Sequence, residues 1–247
     1  MPRPIRFFVP GHVWHLTHRC HNREFLLKHV FYRKTWMNWL YEGTNRYDVP
    51  ILNFMVTSSH IHLLVNAPND MEAIPRLMQL VAGRTGQEFN KRRNRKGAFW
   101  EKRYTATAVQ TGEHLARCLL YIDLNMVRAG VVKHPMEWEH SGYHEIKKEK
   151  SKYRTIARTK LCDLIEIELD DLPQTYERWI KQMLKQGHLG RESFWSSDFA
   201  VGDEPFVRKI FKLLGFPTRQ PKQTNTVFED SALYGDSKPN ELEWEII

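Results

Sequence analysis

Residues 51–66 read Ile-Leu-Asn-Phe-Met-Val-Thr-Ser-Ser-His-Ile-His-Leu-Leu-Val-Asn. This stretch holds two apolar runs, 51–56 and 61–65, joined by a short polar turn at Thr57-Ser58-Ser59. Asn66-Ala67-Pro68-Asn69 then ends the second run. Short β-rich runs with a polar turn between them are typical of two antiparallel strands. The stretch therefore predicts a β-hairpin over residues 51–66.

The flanking segments complete an alternating pattern around this hairpin. Before the hairpin, hydrophobic periodicity predicts a strand near 12–19 and a helix over 29–46 that is ended by Pro50. After the hairpin, it predicts a helix that is capped by Asn69 or Asp70 and runs into a basic loop at 90–97. A strand over 105–110 follows, and then a helix from an N-cap at Thr111 to about Ala129, which Gly130 ends. The order β-α-β-β-α-β-α is that of a ferredoxin-like split βαβ unit. We therefore predict an α+β fold with an antiparallel sheet.

The remaining chain differs in composition, and we expect a mostly helical C-terminal extension. Residues 145–160 are highly charged and predict a linker or a long surface helix. Helical patterns follow at 174–186, 191–199 and 203–215, and 217–247 has the composition of a tail. The predicted division is a catalytic domain over 1–146 and an extension over 147–247.

The charge is distributed unevenly along the chain. Residues 1–160 carry 27 Lys and Arg against 13 Asp and Glu, a net charge of +14, whereas 161–247 carry 10 against 16, a net charge of −6. A basic first part indicates a polyanionic partner, most often nucleic acid, although a basic soluble protein has the same composition.

Composition also excludes several classes of protein. No apolar run is long enough for a membrane helix, and residues 1–6 lack the apolar run of a signal peptide. Three distant cysteines do not make a disulfide scaffold or a CxxC zinc module. We expect a reduced, cytoplasmic protein that does not enter a membrane.

The histidines of the hairpin are the first candidate site. His60 and His62 are two residues apart on a predicted strand, so both side chains lie on one face of the sheet. Two imidazoles on one face can share a divalent metal. An ordinary structural pair of histidines is the alternative.

A second candidate lies on the helix near residue 120. Tyr121 and Asn125 are four residues apart and share one helix face. A tyrosine hydroxyl is a possible nucleophile, and an amide oxygen is a possible ligand for a hard metal ion. A tyrosine at helical spacing is also a common core residue.

A basic segment separates these two candidates. Residues 84–103 carry eight Lys and Arg against two Glu, with Phe89, Phe99 and Trp100 between them and Tyr104 following. Basic side chains neutralise phosphates and aromatic rings stack on unpaired bases, which predicts binding to single-stranded nucleic acid that weakens steeply with salt. The predicted DNA-binding residues are Arg19, Arg23, Arg84, Lys91, Arg92, Arg93, Arg95, Lys96, Trp100, Lys102 and Arg103.

Three separated motifs, in this order, resemble the single-tyrosine HUH transposases, and most closely the REP-associated tyrosine transposases. They are Ser59-His60-Ile61-His62-Leu63-Leu64-Val65, Gly97-Ala98-Phe99-Trp100-Glu101-Lys102-Arg103-Tyr104, and Tyr121-Ile122-Asp123-Leu124-Asn125-Met126-Val127-Arg128-Ala129-Gly130. His15-Leu16-Thr17-His18-Arg19 and Trp138-Glu139-His140-Ser141-Gly142-Tyr143 extend the resemblance over roughly residues 8–146.

The resemblance implies an enzyme, a metal-dependent DNA transposase or nickase, and assigns roles to individual residues. His60, His62 and Asn125 would bind one Mg²⁺ or Mn²⁺, and Tyr121 would be the nucleophile. The reaction implied is cleavage and strand transfer of single-stranded DNA through a 5′-phosphotyrosine intermediate, with a hairpin beside the cut. Some relatives pair two chains so that the tyrosine helix of one serves the histidines of the other, and we therefore expect this chain to be either a monomer or a homodimer.

The sequence departs from the family pattern at two places. Ser59 stands where the family usually has Asn, and Met126 where it usually has Pro. These departures keep two alternatives open. One is a hairpin-binding descendant without catalysis, and the other is a metal-dependent phosphodiesterase that uses His60 and His62 with water.

Overall fold

The computed structural model describes residues 8–187, 190 and 192–215. Its first part contains β1 (Val13–Arg19), α1 (Val30–Tyr47), β2 (Ile51–Val56), β3 (His60–Asn66), α2 (Ala73–Arg92), β4 (Thr105–Val109), α3 (Glu113–Asp123) and α4 (Asn125–Arg128). The later part contains α5 (Tyr143–Lys147), α6 (Arg158–Ile165), α7 (Leu172–Gln186), α8 (Phe194–Ser197), β5 (Ala200–Val201) and α9 (Glu204–Leu213). The predicted tail at 217–247 lies outside the described residues.

The sheet has the strand order β2-β3-β1-β4-β5. The first four strands pair antiparallel in this order, and the predicted hairpin is β2 paired with β3. This is the ferredoxin-like arrangement, so the predicted fold class is confirmed. β5 adds a short parallel edge strand beside β4 that the sequence pattern did not predict.

The two faces of the sheet are covered by different helices. Trp36 of α1 packs against Phe54 of β2, with ring centroids 6.2 Å apart, and Phe54 pairs with Leu63 in the register. α1 also packs along α2, so these two helices cover the face that carries Leu63. His62 points to the opposite face because side chains alternate along a strand. That face is covered by α3, α5, α6 and α8.

Several predicted helix ends differ from the structure. α2 starts at Ala73, and Asp70 accepts the amide hydrogen of Glu72 instead of capping the helix. α2 also continues through residues 90–92, which were predicted to be loop. Gly112, not Thr111, precedes α3, although Gly130 follows the last turn in a left-handed conformation as predicted.

The charged segment 145–160 is not one long helix, and residues 148–154 within it form a largely exposed loop between α5 and α6. It contains the end of α5, a loop, and the start of α6. Glu145 is buried, and its carboxylate accepts the amide hydrogens of Thr155 and Ile156. The charged composition of the segment indicated exposed side chains, but the carboxylate of Glu145 accepts hydrogen bonds from backbone amides inside the fold.

The C-terminal elements pack on the first part of the chain. β5 pairs with β4, α7 packs on α5, and α8 contacts β1 and β4. Within the described residues, no helix combines the length and apolar character needed to cross a membrane. The predicted boundary near residue 146 stays a prediction.

Candidate active site

His60 and His62 lie on the sheet face covered by α3, as the two-residue spacing predicts. Their ring centroids are 5.0 Å apart, His62 is buried, and His60 is half-buried. His62 sits on β3 opposite Thr17 of β1 and Met55 of β2, well inside the sheet. His62 is therefore shielded from bulk water. His60, the first residue of β3, lies closer to the end of the sheet and is half-buried.

The ring of His60 is fixed by the turn that precedes β3. The Thr57 hydroxyl donates to the His60 carbonyl at 2.8 Å, and the Thr57 oxygen also lies 3.0 Å from His60 Nδ1. The Ser59 hydroxyl is a second neighbour, 3.2 Å from the same ring nitrogen. Ser59 therefore supports the histidine strand at the position where the family pattern has Asn.

The structure brings Asn125 to His62. The Asn125 side-chain amide lies 3.1 Å from His62 Nε2. The two amide atoms of Asn are interchangeable in assignment, and a rotation would present the oxygen at this place. Two neighbouring ligands of an octahedral Mg²⁺ at about 2.0–2.1 Å are themselves about 3 Å apart. The spacing of this pair therefore fits one small divalent cation between them.

Tyr121 lies beside this group, one turn before Asn125. Its ring is 5.9 Å from that of His62 and 6.1 Å from that of Trp195. The guanidinium carbon of Arg128 is 4.1 Å from the centre of the Tyr121 ring, and Arg128 donates to the Tyr121 carbonyl at 2.6 Å. These contacts hold the tyrosine against the histidine face from three sides.

Burial keeps the inner histidines neutral. Desolvation lowers the pKa of His62 well below its usual value, helped by His60 and His15, and it lowers the pKa of His15 to about 4. A neutral imidazole is the form that binds a metal. Within the described residues, no group of three or more His, Cys, Asp or Glu side chains is arranged to hold a metal ion. A cation here therefore needs the amide of Asn125 together with water or substrate oxygens, which suits Mg²⁺ and Mn²⁺.

His15 is the site residue that sequence reasoning missed. It lies on β1, is 1% exposed, and its Nε2 is 2.9 Å from His62 Nδ1. The one feature of the sequence that could have indicated it is the alternation of side chains along the strand at 12–19, which places His15 on one face of the sheet. Pairing between β1 and β3 sets the contact, and a single sequence does not reveal that register.

Most of the predicted DNA-binding residues gather at the end of the sheet that carries His60. Backbone hydrogen bonds hold the segments at this end together: the amides of Cys20, His21 and Glu101 donate to the carbonyls of Ser59, Phe99 and Arg19, respectively. The exposed cations there are Arg23, Lys91, Arg92, Arg93, Lys96 and Lys102, with Arg19, Arg95 and Arg103 half-buried. Arg84 lies apart, near the middle of α2 over the ring of Trp39.

The prediction that aromatic rings of this segment stack on unpaired bases is wrong for three of the four rings, since Phe89, Phe99 and Tyr104 are buried in the core. The half-buried Trp100 stacks on His18 at 4.1 Å and donates from its indole nitrogen to the Ala82 carbonyl. These rings hold the basic segment to the fold. The large exposed aromatics at this end are Phe25 and Phe31, and Arg92 lies 4.2 Å over the Phe31 ring.

Part of the chain matches a known protein family. Residues 9–125, which include both histidines, Tyr121 and Asn125, match the family model described as IS200-like transposase. The matched segment spans a little under half of the chain, and among curated proteins none matches the chain significantly.

Two solved structures are similar to the chain at low identity. One is a REP-associated tyrosine transposase bound to a REP hairpin, with 19% identity, a TM-score of 0.48, and coverage of 59% of this chain and 85% of that one. The other is described as a candidate transposase from Deinococcus radiodurans R1, with 17% identity, a TM-score of 0.35, and coverage of 46% and 88%.

Proposed function

We propose that this protein cleaves and rejoins single-stranded DNA with Tyr121 as the nucleophile. The observation that carries the proposal is the meeting of His60, His62, Asn125 and Tyr121 on one sheet face, within a segment that matches the IS200-like transposases. The cations around the open end of this face support a polyanionic substrate. A hairpin beside the cut remains the substrate implied by the sequence resemblance.

His60, His62 and Asn125 would hold one Mg²⁺ or Mn²⁺. When bound, such an ion acts as a Lewis acid toward a phosphoryl oxygen of the substrate. The donor set fits because His62 Nε2 and the Asn125 amide lie 3.1 Å apart. With three protein donors, an octahedral ion keeps positions for substrate oxygens.

Tyr121 carries the covalent step. Its hydroxyl oxygen attacks the phosphorus, the bond from phosphorus to the 3′ oxygen breaks, and the tyrosine hydrogen ends on that 3′ oxygen. The products are a 5′-phosphotyrosine and a 3′-hydroxyl. Attack by another 3′-hydroxyl reverses the step and joins two strands without water or an external energy source, since one phosphodiester replaces another.

The test looks for the covalent intermediate. The full chain is incubated with Mn²⁺ and a labelled single-stranded DNA that contains a hairpin, and protein–DNA adducts are separated under denaturing conditions. We expect an adduct in the wild type, none in Tyr121→Phe, and none with a chelator. Tyr153→Phe is the matched control, because Tyr153 is exposed and lies on another part of the surface.

The two alternatives predict different results in the same assay. Cleavage that survives Tyr121→Phe would contradict the tyrosine mechanism and indicate a phosphodiesterase that uses water. Binding of the hairpin with neither cleavage nor adduct in the wild type would indicate a DNA-binding descendant.

A further inference from the structure

A chain of hydrogen bonds links the proposed metal site to the C-terminal part of the protein. Trp195 of α8 presents its backbone carbonyl to His15 Nδ1 at 2.6 Å. His15 Nε2 meets His62 Nδ1 at 2.9 Å, and His62 Nε2 faces Asn125. Both histidines are buried, so water does not compete for these positions. Trp195 is itself held, because its indole nitrogen donates to Glu192 at 2.7 Å.

The carbonyl at one end determines the direction of every bond in the chain. A carbonyl only accepts, so His15 Nδ1 carries the hydrogen. In the neutral ring His15 Nε2 is then an acceptor, and His62 Nδ1 must donate to it. His62 Nε2 is therefore the nitrogen with the lone pair, and it is the one that faces Asn125. The opposite tautomer of His62 would place two lone pairs against each other in a buried place, which is costly.

We propose that His15 is a positioning residue for the metal site, which fixes the ring and the tautomer of His62 and is itself fixed by the carbonyl of Trp195. The inference rests on the proposed function for the identity of the ligand, a divalent cation. It assigns the segment around Trp195, outside the segment that matches the family model, a part in preparing the site. Metal-binding histidines commonly donate their second nitrogen to a fixed acceptor, and here that acceptor is another histidine.

A purely structural role for His15 predicts something different, and the chain offers a matched comparison. Thr107 on β4 is also buried on this side and donates to the Asp198 carbonyl at 2.6 Å. It therefore makes the same kind of bond to the same C-terminal segment without touching His62. Thr107→Val removes that bond while keeping the shape of the side chain.

The first measurement needs neither metal nor DNA. Nitrogen-15 NMR of the full chain reports which nitrogen of His62 carries the hydrogen. We expect the Nδ1–H tautomer in the wild type, in Thr107→Val and in His15→Gln, whose amide offers one donor and one acceptor side by side. We expect a mixture of tautomers in His15→Leu. A wild-type His62 with hydrogen on Nε2 would overturn the proposal.

The second measurement is the dissociation constant for Mn²⁺, from titration calorimetry or electron paramagnetic resonance. His15→Leu should bind Mn²⁺ about 10- to 100-fold more weakly than the wild type, as expected for loss of a residue that supports a ligand. His15→Gln should restore most of the affinity, and Thr107→Val should leave it unchanged. Wild-type affinity in a folded His15→Leu, or an equal loss in Thr107→Val, would refute the positioning role.

The two proposals fail in different ways. If the wild type binds Mn²⁺ but forms no DNA adduct, the proposed function fails and the role of His15 at the metal site stands. If His15→Leu does not fold, the wild-type tautomer and the Mn²⁺ affinity of His15→Gln still decide the question. If His15→Gln then binds Mn²⁺ at least 100-fold more weakly than the wild type, the result would contradict the proposed chain of hydrogen bonds.

Discussion

Gly142 shows how closely the segment after α4 packs against β2. Its amide donates to the Phe54 carbonyl at 2.8 Å, and a Cβ built on it would lie 3.2 Å from the backbone nitrogen of Phe54 and 3.0 Å from Ile156. We predict that Gly142→Ala destabilises the protein by about 1–3 kcal/mol, because added volume in a packed place forces the backbone to shift. Urea unfolding measures this free energy.

Gly83 supplies the control, since a Cβ there would meet nothing within 4 Å. It lies inside α2, and Gly83→Ala should stabilise the protein by up to about 1 kcal/mol because Ala has the higher helix propensity. Equal effects of the two substitutions would contradict the packing argument.

His140 gives a prediction about acid stability. Burial lowers its pKa to about 4, with Arg33 and Lys34 acting in the same direction and Glu139 opposing. Between pH 6.5 and 4 the unfolded chain therefore binds this proton while the folded chain resists it, so stability falls as the pH decreases through this range. His140→Phe should lose less stability than the wild type between pH 6.5 and 4.

Guanidinium unfolding at a series of pH values measures this difference. Above pH 6.5 the two unfolding curves should differ by a constant amount, because the imidazole is neutral in both states. A difference that does not change below pH 6.5 would show that another group carries the acid sensitivity.

At the level of single residues, the sequence predicted the pairs set by local geometry and missed those set by pairing between strands. His60 with His62 follows from the period of a strand, and Tyr121 with Asn125 follows from the helix turn. His15 with His62 depends on the register of β1 and β3, and His15 with Trp195 joins positions 180 residues apart. No local pattern encodes such contacts.

Among the elements, the helix that carries Tyr121 differs most from a simple helix. The sequence predicts one helix to about Ala129, whereas the structure divides it at Leu124 into α3 and α4. Both Leu124 and Arg128 still donate to the carbonyls four residues before them. The division is therefore a local bend, and Tyr121 and Asn125 lie on either side of it.

The same helix is anchored on its other side by Asp123. This carboxylate is buried, burial raises its pKa to about 7, and the hydroxyl of Tyr176 in α7 donates to it at 2.5 Å. We predict that Tyr176→Phe destabilises the protein by about 1–3 kcal/mol, because a buried acceptor loses its donor. Urea unfolding monitored by circular dichroism measures this change.

Tyr153→Phe is the control for loss of a hydroxyl, since Tyr153 is 71% exposed. Its unfolding free energy should stay within about 0.5 kcal/mol of the wild type. If Tyr176→Phe is equally harmless, the anchor between α3 and α7 contributes nothing to stability.

Across the whole molecule, exposed aromatic and basic side chains occur together at the end of the sheet that carries His60. Phe25 and Phe31 are exposed there among the cations, whereas the aromatic rings of the basic segment are packed inward. Stacking of a base on an aromatic side chain contributes about 1–3 kcal/mol. We predict that Phe25→Ala and Phe31→Ala each weaken binding to single-stranded DNA about fivefold or more, measured by fluorescence anisotropy at fixed salt.

Tyr153→Ala is the matched control, because Tyr153 is more exposed than either phenylalanine but packs on Tyr41, toward the other end of α1. It should bind DNA as the wild type does. Weakening by Tyr153→Ala equal to that by Phe31→Ala would show that exposed aromatics act without regard to position.

The sequence predicted the fold of the first half of the chain better than that of the second half. Up to Asn125 the order of elements and the motifs predict the strand order, because each element has its own periodic or apolar signal and follows its neighbour closely. Beyond it, the charged composition of 145–160 did not reveal that Glu145 is buried, and the two residues of β5 are too few to produce a periodic signal. The extension takes its structure from contacts with the sheet and not from its own pattern.

The 180-residue separation of His15 and Trp195 has a consequence for the timing of synthesis. The ribosome makes Asn125, the last of the proposed ligands and nucleophile, 70 positions before Trp195. At about 5–20 residues per second, roughly 4 to 14 seconds pass between them. A chain still being made thus has every proposed ligand and the nucleophile before it has the carbonyl that we propose fixes His62 through His15, so full affinity for the metal ion would follow only after Trp195 has been added.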